Sequence, residues 1–168
     1  MNVPHEDIAH RTRLYLVDRE ISIETESLGF GHDGVVWQSD RNTAVKVFHR
    51  TENFRNELLC YERLRERNVR SIKGCTIPQL VDHDETLLVI EMHIVDPPYI
   101  LDFGKAKLDH TPDYSPETIH DWNEQIVEWW GEDAEIVRSI VHILRYHGIF
   151  YADPRVGNIR LKPQREEH

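Results

Sequence analysis

Gly29-Phe30-Gly31-His32-Asp33-Gly34-Val35-Val36-Trp37, followed after the turn Ser39-Asp40-Arg41-Asn42 by Thr43-Ala44-Val45-Lys46-Val47-Phe48, decides the fold. Glycines at 29, 31 and 34 let the chain lie close over a bound group and expose backbone N–H groups to it. A glycine motif that opened a helix would indicate a dinucleotide fold. Here Val35-Val36-Trp37 continues as strand, so the segment reads as strand, glycine loop, strand. Ile21 and Ile23 alternate ahead of it and extend the first strand upstream. Alternation in 43–48 puts Ala44, Lys46 and Phe48 on one face and Val45 and Val47 on the other. A lysine among apolar neighbours on a central strand needs a partner, because an unpaired buried ammonium is costly. An ordinary glycine hairpin with a solvated edge lysine would carry the same letters, so the neighbouring segments decide.

Residues 52–67 have helical spacing. At about 100° per residue, Phe54, Leu58, Tyr61 and Leu64 form one apolar arc that includes Glu57 and leaves out Glu52 and Glu62. A carboxylate on the inward stripe directly after the strand lysine is what a Lys46–Glu57 ion pair requires. Gln79–Val81 and Thr86–Met92 read as a further hairpin turned at His83-Asp84-Glu85, and Pro97-Pro98 then breaks regular structure. The second half is mainly helical. Ser115-Pro116-Glu117 is a helix start, with Ser as N-cap and Pro at the first position. A second helix is expected over 134–147, with Ile136, Ile140, Ile143 and Leu144 inward and Gly148 as its stop. Asp153-Pro154-Arg155-Val156-Gly157-Asn158 follows, an acid and an amide five residues apart, in letters that also suit a plain turn.

Taken in order, these segments resemble the protein-kinase-like superfamily over about residues 21–162. Gly29, Gly31 and Gly34 match the phosphate loop and Val36 its following valine; Ala44 and Lys46 match the third-strand motif, and Glu57 the helix acid that pairs with the lysine. Ile90-Glu91-Met92-His93 falls where the hinge meets adenine, which makes Glu91 and Met92 cofactor-binding candidates. Asp153 matches the catalytic base, Arg155 the position where serine/threonine kinases carry Lys, and Asn158 a metal ligand. The resemblance implies an α+β fold: an antiparallel-sheet N-lobe with one helix over 21–93, joined to an abbreviated helical C-lobe over 94–168. Residues 1–20 form an N-terminal extension packed on the domain. It further implies ATP and Mg²⁺ as ligands and phosphoryl transfer to an unknown protein or small molecule. A pseudokinase or interaction module without transfer is the alternative, and a partner chain or second copy completing the shortened lobe is a third reading.

The departures are specific. Tyr151-Ala152 stand where His-Arg is usual, and Asp33 takes a loop-tip position that is often aromatic. No D-F-G follows Asn158. Asp102-Phe103-Gly104 spells one before the catalytic loop, and by chain order it reads as a coincidental turn beyond the hinge. The bolder reading places Asp102 beside the nucleotide, on ribose or metal.

Composition bounds the rest. The net charge of −10 argues against a general nucleic-acid binder. Cys60 and Cys75 are too few for a disulfide framework, so a reducing cytoplasm is the expected location. The N-terminus lacks the basic and apolar regions of a signal peptide, and no apolar run approaches membrane-spanning length. Eleven histidines are scattered, and His142 and His147 miss the i,i+4 spacing of a helical metal pair. Trp122, Trp129 and Trp130 are expected to pack the helical part.

Overall fold

The computed structural model describes residues 5–161. Met1–Pro4 and the tail Arg165-Glu166-Glu167-His168, expected as a solvated end, lie outside the described residues. In chain order the elements are α1 (His5–Arg19), β1 (Ile23–Phe30), β2 (Gly34–Ser39), β3 (Thr43–Phe48), α2 (Thr51–Glu66), β4 (Ser71–Ile72), β5 (Cys75–Thr76), β6 (Leu80–Asp84) and β7 (Val89–His93). Then come β8 (Tyr99–Ile100), β9 (Lys107–Leu108), α3 (Pro116–Trp130), a short 3₁₀ turn (Gly131–Asp133), α4 (Ala134–Tyr146), β10 (Ile149–Phe150) and β11 (Ile159–Arg160). The fold is α+β, with an antiparallel-sheet lobe followed by a helical part, as the kinase-like resemblance implies.

The main sheet runs β1-β2-β3-β7-β6, all antiparallel. All six residues of its central strand β3 are buried, because helices cover both faces of the sheet there. Ala44 and Phe48 join Phe54, Leu58, Tyr61 and Leu64 of α2 in the larger core. Val45 and Val47 join Val35, Val89, Ile8 and Tyr15 in a second core beneath α1.

That second core shows what residues 5–19 do. They form a helix that seals the back of the sheet, and polar side chains fix it there. Arg11 donates to the carbonyls of Leu87 (2.7 Å) and Phe48 (2.9 Å), and Arg19 donates to Asp82 (2.8 Å). Tyr15, wholly buried, donates its hydroxyl to Glu91 Oε2 at 3.0 Å, and Thr43 donates to Glu91 Oε1 at 2.6 Å. Leu14 and Val17 stay exposed.

The helical part departs from the sequence reading in one respect. Ser115 caps α3 by accepting from the Thr118 N–H, and Gly148 ends the α4 segment at φ +79°. The inward stripe of α4, however, is Val137, Ile140, Val141 and Leu144, with Ile143 packed at its border and Ile136 exposed. The stripe is centred nearer Leu144 than the isoleucines alone suggest, because α3 and β10 cover that side.

Two short pairings tie the segments after the main sheet together: β9 with β10, and β8 with β11. In the second, Ile100 faces Ile159, and the Leu101 N–H reaches the Asn158 carbonyl at 2.7 Å. The chain leaving the sheet is thereby sewn to the chain leaving the 153–158 loop. No helix among the described residues is long and apolar enough to cross a membrane.

Tyr15→Phe removes one of the two hydroxyls that satisfy a buried carboxylate. It should destabilise the fold by about 1.5–3 kcal/mol, seen as a lower urea midpoint with an unchanged slope.

Candidate functional site

A cavity of about 640 Å³ opens between the sheet and the helical part. The 28–34 loop roofs it, Val36, Ala44 and Met92–Val95 wall one end, and Lys46 and Glu57 lie at its floor. Asp102, Lys105, Asp153, Arg155 and Asn158 line the other side.

Lys46 Nζ donates to Glu57 Oε2 at 2.7 Å, both groups being almost fully buried, and it stands 4.7 Å over the Phe48 ring. β3 and α2 join through only two intervening residues, so the helix lies back over the strand it follows. Asp102 Oδ1 is 3.8 Å from the same ammonium. Burial pushes the Glu57 carboxyl up to about 7, with Lys46 acting against the rise and Asp102 and Asp33 adding to it. Burial also works against the charge on Lys46, but the surrounding carboxylates outweigh it and hold the ammonium above its usual value.

The glycines divide by role. A Cβ at Gly34 would stand 2.1 Å from the Val47 carbonyl oxygen, so β2 can pair with β3 only if residue 34 is glycine. At Gly29 and Gly31 a Cβ would meet nothing within 4 Å, so packing does not demand glycine there and the space over the cavity stays clear. Asp33, at the loop tip, turns inward. It accepts from Asn53 Nδ2 at 2.5 Å and is 8 % exposed. Burial, then the neighbouring Asp102, raises its carboxyl above the usual range.

On the far side, Asp153 Oδ1 forms an ion pair with Arg155 Nε at 2.6 Å, and its Oδ2 lies 3.7 Å from Lys105 Nζ. Asn158 Nδ2 donates to the Asp153 carbonyl (3.0 Å), closing the 153–158 loop and leaving the amide oxygen available. Trp130 Nε1 anchors the loop from outside on the Pro154 carbonyl (2.7 Å).

Of the residues named from the sequence, the structure brings Gly29, Gly31, Gly34, Val36, Ala44, Lys46, Glu57, Met92, Asp153, Arg155 and Asn158 to this one cavity. Glu91 does not line the cavity. Strand alternation puts it on the opposite face with Val45, where Tyr15 and Thr43 hold its carboxylate, so its side chain does not enter the cavity.

Asp102-Phe103-Gly104, a turn beyond β8, reaches the same cavity. Phe103 is fully buried, its ring edge-on to Tyr61 and to Tyr151 with centroids 5.3 Å apart in each case. That packing delivers Asp102 to Lys46. Tyr151, which stands where His is usual, also donates its hydroxyl to the Leu101 carbonyl. Lys105, Asp33 and Asn53 are further site residues that sequence reasoning did not name as such. The letters D-F-G were a signal for Asp102; nothing local marked the others.

The pocket should bind protons on folding. Glu57 and Asp33 are raised above their unfolded values, so the folded state holds more protons between about pH 4.5 and 7. Stability from these groups is therefore present at the acid side and lost as pH rises through that window. Asp82 and Asp109, held low by Arg19 and Arg63, act in the opposite sense below about pH 4. Unfolding free energy measured from pH 5 to 7.5 should fall, and Glu57→Gln should make the fall shallower.

No protein-family profile matches the chain, and no curated protein matches it. Among solved structures it is similar to the streptomycin–ATP–APH(2″)-IIa ternary complex, with 17 % identity and a TM-score of 0.38 over 79 % of this chain and 38 % of that one. It is also similar to the ADP-bound aminoglycoside phosphotransferase APH(2″)-Ib, with 18 % identity and a TM-score of 0.39 over 78 % of this chain and 37 % of that one. This chain thus spans less than two-fifths of either, and a likeness so loose assigns it neither a substrate nor an activity.

Proposed function

We propose that the chain is a kinase-like ATP-binding protein that transfers the terminal phosphoryl group of ATP to an acceptor hydroxyl. The observation that carries this is the buried Lys46–Glu57 pair, 2.7 Å long, lying in one cavity with Asp102, Asp153 and Asn158 beneath a glycine loop. A lysine held by a helix acid can meet phosphate oxygens with little reorganisation, and such preorganised charge is the main resource of phosphoryl transfer.

In this reading the adenine end lies by Ala44 and Met92–Val95, and the loop N–H groups and Lys46 hold the phosphates. Asp153 accepts the acceptor's proton as its oxygen bonds to the γ-phosphorus, the bond from that phosphorus to the β-bridging oxygen breaks, and ADP leaves. Among the described residues no cluster of three or more His, Cys, Asp or Glu forms a metal cage. Mg²⁺ does not need one, since it binds through one or two protein oxygens together with substrate phosphates. Asp102 and the Asn158 amide oxygen fit that role, and the ion would supply charge neutralisation on the phosphates.

One observation favours the alternative, a pseudokinase or interaction module: the Asp33 carboxylate already occupies space beneath the loop near Lys46. The acceptor stays open, as does a partner chain at the shortened lobe.

Thermal and denaturant stability with ATP and Mg²⁺ test the reading. Ligand at 100 times Kd should add about 2.7 kcal/mol. Lys46→Met combined with Glu57→Gln, which leaves no lone buried charge, should abolish that gain. Asp153→Asn should keep it while lowering phosphoryl transfer, to water or to the protein itself, by about 10²–10⁴-fold. Transfer unchanged in Asp153→Asn would sink the assignment of the base; binding without any transfer in the unaltered protein would favour the module.

A further inference from the structure

We infer that Lys105 is a second phosphate-binding lysine, placed to hold the terminal phosphate of a nucleoside triphosphate beside Asp153. The inference rests on the nucleotide reading of the cavity and adds to it a residue that distinguishes triphosphate from diphosphate.

The backbone around Lys105 is pinned on both sides. Phe103 is fully buried between two rings, the Gly104 carbonyl accepts from Asn56 Nδ2 (3.1 Å), and Ala106 is buried with its N–H on the Phe103 carbonyl (3.0 Å). The side chain projects from this fixed turn toward Asp153 and lines the cavity, with about half of its surface open. It is therefore aimed without being locked.

Its present partner does not saturate it. At 3.7 Å, Lys105 Nζ is beyond good hydrogen-bond distance of Asp153 Oδ2, whereas Arg155 takes the other oxygen at 2.6 Å. Asp153 is thus already matched by Arg155, and the ammonium of Lys105 keeps donors available. Lys46 differs, being tied to Glu57 at 2.7 Å. Asp33, an acid from the roof, is buried and feels the charges of both Lys46 and Lys105, although burial and Asp102 outweigh them.

Position along the cavity selects the phosphate. With the adenine end at Met92–Val95 and the α- and β-phosphates at Lys46, the next phosphate falls toward Asp153, where Lys105 stands. A role confined to the Lys105–Asp153 ion pair would be a half-exposed salt bridge, which affects stability slightly and nucleotide choice not at all.

The test is calorimetric binding of ADP and of the non-hydrolysable β,γ-imido analogue of ATP, each with Mg²⁺, to the full chain, to Lys105→Met and to Lys105→Arg. The unaltered protein should bind the analogue at least about tenfold tighter than ADP, the discrimination that one charge-assisted contact supplies. Lys105→Met should leave the ADP affinity within about twofold and erase the analogue's advantage, and Lys105→Arg should retain part of it. Retained ADP binding also shows that the variant is folded. The inference is overturned if Lys105→Met weakens both ligands equally, weakens neither, or if the unaltered protein does not prefer the analogue. Binding of neither nucleotide by the unaltered protein overturns the nucleotide reading itself and the inference with it.

Discussion

A buried ammonium requires a carboxylate, and the Lys46–Glu57 pair is the constraint around which this structure is arranged. Desolvating either group alone costs several kcal/mol, and the pair is tolerable only with close geometry. β3 must therefore be central, α2 must return directly over it, and Phe48, Phe54 and Leu58 must exclude water around the contact. Such a pair adds little to stability compared with an apolar substitute. Its presence at the floor of an open cavity is better explained by what it can hold than by what it stabilises.

The central position of β3 imposes a second demand. A strand buried on both faces needs cover on the face away from α2, and α1 supplies it. The polar groups caught in that layer are all matched: Tyr15 and Thr43 satisfy Glu91, and Arg11 caps two carbonyls at the sheet end. Glu91 and Met92 are neighbours in sequence, so the layer under α1 and the Met92 wall of the cavity are built on the same strand, with side chains on opposite faces. The N-terminal helix is thereby structurally continuous with the cavity wall.

The third constraint is topological. Pairing of β8 with β11 joins the segment that leaves the sheet to the segment that leaves the 153–158 loop. Asp102, two residues after β8, is thus brought across the cavity from Asp153, 51 positions later in the chain. Strand pairing is indifferent to which partner comes first in sequence. The Asp102-Phe103-Gly104 segment therefore reaches the same cavity as the later 153–158 loop, with its phenylalanine seated between Tyr61 and Tyr151.

The sequence by itself determined the local elements and the face each residue would take. Period-two alternation fixed the β3 faces, the 100° step put Glu57 on the inward arc, and Ser115, Pro116 and Gly148 marked helix ends through backbone chemistry confined to a few residues. These signals are legible because they are short-range. What only the tertiary structure decided are the contacts between distant segments. It seated α1 behind the sheet, folded Asp33 inward, and carried Asp102 and Lys105 to Lys46 and Asp153. Each of these depends on strand pairing and packing between residues tens of positions apart, and no local pattern of residues encodes which distant surface will meet them.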